Sequence, residues 1–221
     1  MEDLIADFHI HSKYSHDSMM SLEDIVKRAK KAGLSAIAIT DHNTIKGGLH
    51  AQNMGRKIGI RVIVGAEIST DYGDIIGLGL NEEIVVNEWQ RVIREIRLQG
   101  GVVVLPHPYR DHKDPEEIAR TVDFIEVWNS RCTPEENNKA AMLANTTGKK
   151  IMLGSDAHCP AEIGLVRVRM NPVSFEMQEV ISSAYTRSWN IQKSQVISHI
   201  RKYEFGTLLR RGAGLLWKKI A

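Results

Sequence analysis

The sequence predicts an α/β fold with largely parallel strands, on three observations. Short apolar runs rich in β-branched residues, such as AIAI at 36–39 and VVVL at 102–105, alternate with longer amphipathic stretches. Most of the short runs are uninterrupted by charge, as expected of strands covered on both faces. Histidines and carboxylates collect where these runs end, at His9, His11, Asp41, His42, Glu67, His107, Asp156 and His158.

Seven strands are expected, at 4–8, 35–39, 61–68, 74–79, 101–105, 123–128 and 151–154. Between the first two, Leu22, Ile25, Val26, Ala29 and Ala32 recur at helical spacing. Ser21 is the N-cap with Asp24 three residues on, and Gly33 is the stop. Further helices are expected over 46–58, 83–99, 115–121 and 134–147, the last opening with Thr133-Pro134 and closing at Gly148. After Pro172 two helix-like segments follow, at about 174–186 and 192–218, with no clear strand. Seven strands with intervening helices form either an open doubly wound sheet or a closed barrel, and periodicity does not choose between them.

Composition excludes several classes of function. The 221 residues are 43% hydrophobic and 25% charged, as in ordinary globular chains, and one domain over 1–221 is expected. Lys+Arg 29 against Asp+Glu 27 leaves +2, too balanced for a nucleic-acid binder that works by bulk charge. Cys132 and Cys159 stand outside any CxxC pair, which argues against a disulfide scaffold, a zinc ribbon or a thioredoxin-type site and for a reduced, cytoplasmic setting. The acidic N-terminus is unlike a signal peptide, and no run approaches the roughly 18 apolar residues of a transmembrane segment. Oligomeric state is not encoded in any of these features.

The chemistry lies in the strand-end residues. In α/β folds the C-terminal strand ends and their loops converge, so residues far apart in sequence meet in one pocket. In His9-Ile10-His11 the imidazoles at i and i+2 of an extended strand point the same way while Ile10 faces the packing side, so two nitrogens are presented to one cation. A pair of satisfied core histidines is the other reading of that pattern. Asp156-Ala157-His158 repeats the geometry with a carboxylate, which packing alone does not explain. Mixed histidine and carboxylate donors without cysteine suit Zn, Mn or Fe. Glu67, closing an otherwise apolar strand, has two oxygens with which to bridge two ions.

Taken in order, DFHIHSKYSHDS, ITDHNTIKG, VGAEIST, VLPHPYR and GSDAH resemble the successive motifs of the PHP (polymerase and histidinol phosphatase) superfamily of metal-dependent phosphoesterases, over roughly residues 4–165. The resemblance implies a distorted (β/α)7 barrel over about 4–171, a C-terminal helical segment over about 172–221, and two or three divalent metal ions, Mn, Zn or Fe, at the C-terminal strand ends. Carried over, one ion is held by His9, His11, Glu67 and Asp156. Glu67 bridges to a second ion also bound by His107, and a third takes Asp17, His42 and His158. Asp74 and Glu126 are further candidate ligands for the second ion, at positions where the family's pattern varies. Asp41 is expected to orient a ligand from behind. His16, His50, His112 and His199 are expected to be surface or structural.

Such ions lower the pKa of a bridging water from 15.7 toward roughly 7 and neutralise phosphoryl oxygens, so the expected reaction is hydrolysis of a phosphate ester. Asp156, His158 and Asp17 are the catalytic candidates, with His158 or a water near Asp17 as acid for the leaving oxygen. Arg110 and Arg131 are candidate phosphate contacts. The stand-alone type resembles members acting on nucleotides or short oligonucleotides, with histidinol-phosphate phosphatase as the alternative enzyme. A non-catalytic metal-binding PHP interaction module is the alternative of another class. Six basic residues against one acid in 195–221 (Arg201, Lys202, Arg210, Arg211, Lys218, Lys219 against Glu204), interleaved with apolar ones, fit a helix that packs on the barrel with a solvated basic face, touches a nucleic-acid backbone or an anionic membrane surface, or builds a dimer interface.

Overall fold

The structure, a computed structural model, describes the backbone of residues 3–217 and the side chains of residues 3–202. Among the described residues nine strands form one sheet in the order β7-β6-β5-β4-β3-β2-β1-β8-β9. They are β1 (Leu4–Ile10), β2 (Ala36–Ile39), β3 (Arg61–Thr70), β4 (Gly73–Leu78), β5 (Val102–Leu105), β6 (Phe124–Asn129), β7 (Lys150–Gly154), β8 (Arg167–Met170) and β9 (Met177–Ser182). The helices are α1 (Leu22–Lys31), α2 (Lys46–Ile58), α3 (Trp89–Leu98), α4 (Pro115–Ala119), α5 (Pro134–Thr147) and α6 (Ser188–Trp217). All seven expected strands form. The local signals behave as written: the Ser21 side chain accepts from the Asp24 amide, and Thr133 and Glu136 make a reciprocal capping box with Gly148 left-handed at the far end.

The sheet curls into a nearly closed barrel. The lower half of β1 pairs antiparallel with β8, through Leu4↔Met170 and Ala6↔Val168. Its upper end instead meets the chain just past β7, where the Ala157 amide donates to the His9 carbonyl at 3.1 Å and the His11 amide to the Ala157 carbonyl at 2.9 Å. One edge of β1 thus serves two neighbours, and the barrel closes only at its upper rim. A second distortion is the direction of β4, which is antiparallel to both β3 and β5 and follows β3 through a tight turn rather than a helix.

Two expectations change. The segment about 174–186, read as helical, is strand β9, paired antiparallel with β8. Its Glu, Met and Gln favour helix locally, but hairpin pairing, together with packing of the partly buried Phe175 against the barrel interior, overrides that preference. The helix expected over 83–99 starts only at Trp89, after an irregular stretch anchored by the Asp71 carboxylate on the Trp89 amide at 3.0 Å.

Strand alternation divides the core. One face of the strands (Ala36, Ala38, Ile63, Ile76, Leu78, Val104, Phe124, Met152) fills the barrel with apolar side chains. The other face (Ile37, Ile39, Val62; Val103, Leu105, Ile125) packs beneath the helices. Following the inward face upward along each strand leads from Ile63 to Glu67 on β3, from Phe124 to Glu126 on β6, and from Met152 past Gly154 to Asp156 after β7. On the reversed β4 it runs from Leu78 through Ile76 to Asp74, so the first residues of that strand lie at the rim where the other strands end. A bulge in β1 between Asp7 and Ile10 resets the alternation, so that Phe8 joins the apolar interior while Ile10 packs in the helix layer and the flanking His9 and His11 turn inward.

Candidate metal centre

The barrel mouth gathers nine donor residues. Ligand atoms of His11, Asp17, His42 and His158 all lie within 4.8 Å of one another, as do those of His9, His11 and Glu67, of His9, His107 and Asp156, and of Glu67, Asp74 and His107. These nine are the residues nominated from sequence, with Glu126 outside the clusters. Two of them, His107 with φ 27 and Asp156 with φ 54, adopt left-handed backbone conformations that non-glycine residues rarely take. Strain of this kind persists where packing and hydrogen bonds over-determine it, and here it swings both side chains across the mouth.

The tightest group surrounds His9 and His11. Their Nε2 atoms face each other at 3.1 Å. Glu67 Oε2 lies 3.4 Å from His9 Nε2 and 3.2 Å from His11 Nε2, and Asp156 Oδ1 lies 3.5 Å and 3.3 Å from the same two atoms. Ligands around one tetrahedral ion with bonds of 2.0–2.1 Å are separated by roughly 3.3 Å. The donors are therefore spaced for one small cation rather than for each other. Glu67 turns its other oxygen to His107 Nε2 at 2.8 Å, and Asp17 Oδ2 meets His158 Nε2 at 2.8 Å and His42 Nε2 at 3.2 Å. Asp17 Oδ1, His42 Nδ1 and His107 Nδ1 are buried without a hydrogen-bond partner. Orphaned donors and acceptors of this kind are rare in buried sites and point to a missing ligand. The donor set, its spacing and these orphaned atoms all fit divalent ions.

Behind the donors stands a layer of orienting contacts. Glu126 Oε1 meets His9 Nδ1 at 3.0 Å, while Glu126 Oε2 accepts from the His107 amide and from Asn129 Nδ2, each at 2.9 Å. Both oxygens are thus engaged away from the clusters, and the glutamate offered by sequence as a ligand instead sits where it aims one. Gly154 makes this possible: a Cβ there would collide with the Glu126 carboxylate and come within 2.6 Å of His9 Cβ. Ser15 accepts or donates at His11 Nδ1 at 2.9 Å and accepts from the His42 amide at 2.8 Å. Asp41 accepts from the Ser12 amide at 2.6 Å and the Ser12 hydroxyl at 2.7 Å, bracing the residue after His11 rather than an imidazole. His158 Nδ1 donates to its neighbour's Asp156 carbonyl at 2.7 Å, which leaves Nε2 free to face the cluster with its lone pair.

The electrostatics follow from packing so many titratable groups together. Burial pulls the His11 pKa down, but hydrogen bonds to Asp156 and Glu67, whose carboxylates accept, and the charge of Asp17 raise it to about 10. His9 is likewise raised, because burial is outweighed by Asp156, Glu126 and Glu67. Burial pushes Glu67 and Asp156 up, yet the facing imidazoles, and Arg110 for Asp156, hold both well below the usual carboxylate range. Protons on the histidines thus balance the carboxylates, and a divalent ion has to displace them.

The two arginines nominated from sequence diverge. Arg110 Nη2 donates to Asp156 Oδ2 at 2.7 Å, and the residue lines a cavity of about 420 Å³ above the centre. Arg131 also reaches that cavity, but its guanidinium is committed to Glu162 at 3.0 Å and to the Ser194 hydroxyl on α6. Of the histidines expected to be peripheral, His50 bonds Tyr14 at the surface and His112 bridges the Asp74 and Arg110 carbonyls. The His16 ring lies tilted against that of His42, with centroids 4.8 Å apart. His199 departs from expectation, because α6 crosses the mouth and places it, with Lys202, in the cavity lining. Position on a long C-terminal helix held no signal for this. Of the six basic residues noted in that segment, Arg210, Arg211, Lys218 and Lys219 lie outside the described side chains. Among the described residues no helix is long and apolar enough to cross a membrane.

Comparison with known proteins agrees with this geometry. The PHP domain family model matches residues 7–159, and the PHP-associated model matches residues 134–185. An uncharacterized protein of Methanocaldococcus jannaschii is 30% identical over 188 residues, covering 80% of this chain and 74% of that protein. Shorter matches include a 5'-3' exoribonuclease of Haemophilus influenzae, 33% identical over 41% of this chain and 36% of that one. A phosphoribosyl 1,2-cyclic phosphate 1,2-diphosphodiesterase of Eggerthella lenta is 33% identical over 36% of this chain and 32% of its own. Among solved structures, a two-domain protein of Bacteroides vulgatus containing a predicted PHP-like metal-dependent phosphoesterase superposes with a TM-score of 0.65 at 21% identity, over 76% of this chain and 59% of the other. The chain belongs to the PHP family of metal-dependent phosphoesterases.

Proposed function

We propose that this centre hydrolyses phosphate esters of nucleotides or short oligonucleotides. The observation that carries the reading is the set of donor separations of 3.1–3.5 Å among His9, His11, Glu67 and Asp156. In this reading those four residues hold one ion, Glu67 with His107 and Asp74 a second, and Asp17, His42 and His158 a third. Divalent ions bound there supply Lewis-acid charge for the phosphoryl oxygens and lower the pKa of water to near neutrality.

The chain's own groups supply the rest. Arg110 uses one N–H on Asp156 and, lining the cavity, has others with which to hold a phosphoryl oxygen. Although burial opposes it, the Asp156 carboxylate keeps Arg110 charged at any working pH, so this contact does not titrate. Asp156 gains twice, as an ion ligand and as the anchor that fixes the guanidinium plane. Donors held in place before the substrate arrives need no reorganisation as charge spreads over the phosphoryl oxygens. A cavity of about 420 Å³ leaves room beyond a phosphate group for a nucleoside-sized leaving group. The partial match to a 5'-3' exoribonuclease supports the oligonucleotide class, and the one to a cyclic-phosphate diphosphodiesterase supports phosphate-ester hydrolysis more broadly.

The test offers the Mn²⁺-loaded protein a 3′,5′-bisphosphonucleotide, a 5′-phosphorylated oligonucleotide and histidinol phosphate. Metal-dependent hydrolysis of a nucleotide substrate is expected, falling about a thousandfold or more in Asp156→Asn, as loss of several kcal/mol of charge stabilisation requires. Preference for histidinol phosphate would overturn the substrate class. Turnover of none of the three would favour the non-catalytic module.

A further inference from the structure

Helix α6 is amphipathic in the wrong direction for a helix that merely packs. Ser194, Gln195, Ser198, His199 and Lys202, with Ile191 at one end, recur at spacings of three and one, a single helical stripe, and all of them line the cavity above the metal centre. On other faces of the same helix Trp189, Val196 and Ile200 are 69%, 58% and 51% exposed. A helix docked for stability would turn those three inward.

What holds α6 in place is polar as well. Arg201, next to the stripe, donates to the carbonyls of Lys13, Ser15 and Ser18, and Ser194 receives the Arg131 guanidinium. The helix is thus fastened to the loop that carries Asp17 and to the β6 end, with its polar stripe facing the ions' site across the cavity. In the proposed function the floor of that cavity takes the phosphoryl group that is cleaved. Its arginines already face carboxylates, Arg110 on Asp156 and Arg131 on Glu162. Among the described residues Lys202 is the only lysine in the lining and makes no ion pair, and Ser198 and His199 stand beside it on its own stripe. Among the described side chains of α6 none that lines the cavity is a carboxylate.

We propose that α6 forms a second anion subsite, in which Lys202, supported by Ser198, binds a phosphate of the substrate other than the one being cleaved. The subsite rests on the phosphoesterase reading for its neighbour but makes its own demand: the substrate carries a second anionic group on the leaving side, as bisphosphorylated nucleosides and oligonucleotides do. Lys202 is here a specificity-determining residue, distinct from the ion ligands.

The experiment compares adenosine 3′,5′-bisphosphate with adenosine 3′- and 5′-monophosphate on the full-length Mn²⁺-loaded protein, in wild type, Lys202→Met and Lys202→Arg. Affinity is read as KM where the wild type turns a nucleotide over and as Kd by calorimetry where it does not, so the subsite is tested even if hydrolysis fails. The wild type is expected to favour the bisphosphate, and Lys202→Met to lower the ratio of bisphosphate to monophosphate affinity about tenfold, the effect of losing one charge-assisted contact. Lys202→Arg is expected to restore most of the ratio. A ratio that is the same in wild type and Lys202→Met, or a wild type that does not favour the bisphosphate, would overturn the subsite while leaving the metal centre standing.

Discussion

Replacing Glu126 by Gln separates two roles that the sequence alone left together, ion ligand and orienter of a ligand. Glu126 is 2% exposed, with one oxygen 3.0 Å from His9 Nδ1 and the other accepting from the His107 amide and Asn129. The glutamine keeps the shape and, with its oxygen toward His9, retains a neutral acceptor there while turning its NH2 to the His107 amide and Asn129 donors, and it removes the charge that makes the imidazole electron-rich and fixes its Nε2 toward Glu67 and Asp156. A buried charge-assisted hydrogen bond contributes about 1.5–3 kcal/mol, and half or more of that is lost when the acceptor becomes neutral. With about 1.4 kcal/mol per decade, the expected result is roughly a tenfold weaker first ion, within the 10–100-fold range typical of partners behind metal ligands. Stoichiometry, read by elemental analysis after gel filtration in excess Mn²⁺, stays at the wild-type value, and affinity, read by calorimetric titration of the EDTA-stripped protein, falls. Gly154→Ala, whose methyl group would occupy the place of the Glu126 carboxylate, is expected to do the same or worse. Loss of one whole ion per chain in Glu126→Gln would show that the glutamate is a ligand after all. Unchanged affinity would show that its contact with His9 does nothing for the ion.

Two further outcomes follow from the charges and from α6. In the metal-free protein His11 is raised from 6.5 to about 10, so its protonated form stabilises the fold fully below pH 6.5 and that stabilisation is lost as pH rises through 10. Asp7, pushed up to about 7 by burial, acts in the same direction but is spent by pH 8. Melting of EDTA-stripped protein between pH 8 and 10 is therefore expected to shift steadily downward, while Mn²⁺ binding tightens over the same range because it displaces the same protons; a flat or rising melting curve would refute the imidazolium–carboxylate balance. Arg201→Ala removes three contacts to the Asp17 loop, and at about 1 kcal/mol each this is expected to weaken the Asp17–His42–His158 ion tenfold or more ahead of the others in Mn²⁺ titrations; equal weakening of every ion would mean a general loss of fold instead.

Much of the fold and of the donor set was legible because both rest on strand alternation. A period of two, read upward from an apolar inward position, lands on Glu67, Glu126 and Asp156, and the ordered motifs located His9, His42 and His107 beside them. Three features were not legible, for different physical reasons. The reversal of β4 depends on a two-residue turn at Asp71 and Tyr72 whose direction is decided by pairing partners far away in sequence. Yet that reversal is what brings Asp74 to the rim. The strand β9 carries residues of good helix propensity and exists only because β8 offers it an edge. Ser15, which holds both His11 and the His42 amide, is one serine among several in a polar loop, and nothing in composition marks it. Glu126 shows the limit in another form: its place on the inward face was readable, whereas which of its oxygens meets His9 depends on the absence of a side chain at Gly154, across the barrel seam.

The distortions of the barrel and the chemistry of its mouth have one origin. Burying an ionised group costs several kcal/mol unless it is paired, and this mouth buries Glu67, Glu126 and Asp156 and partly buries Asp17. A regular parallel barrel closed along its full height would present only strand-end side chains to such a cluster. Here the β1 bulge adds two imidazoles in succession, the β4 reversal adds a carboxylate from a strand beginning, and the incomplete β1–β7 seam lets residues 155–158 cross to the site as an irregular segment with Asp156 in a left-handed turn. Each irregularity brings a charged or ion-binding group to the centre, and each is tolerable because that centre can be neutralised, by protons on His9 and His11 when metal-free and by divalent ions otherwise. The fold and the ions are in this sense mutually dependent: a variant that regularised β1 by deleting its bulge would be expected to lose the ions and, with them, the reason for keeping four carboxylates underneath.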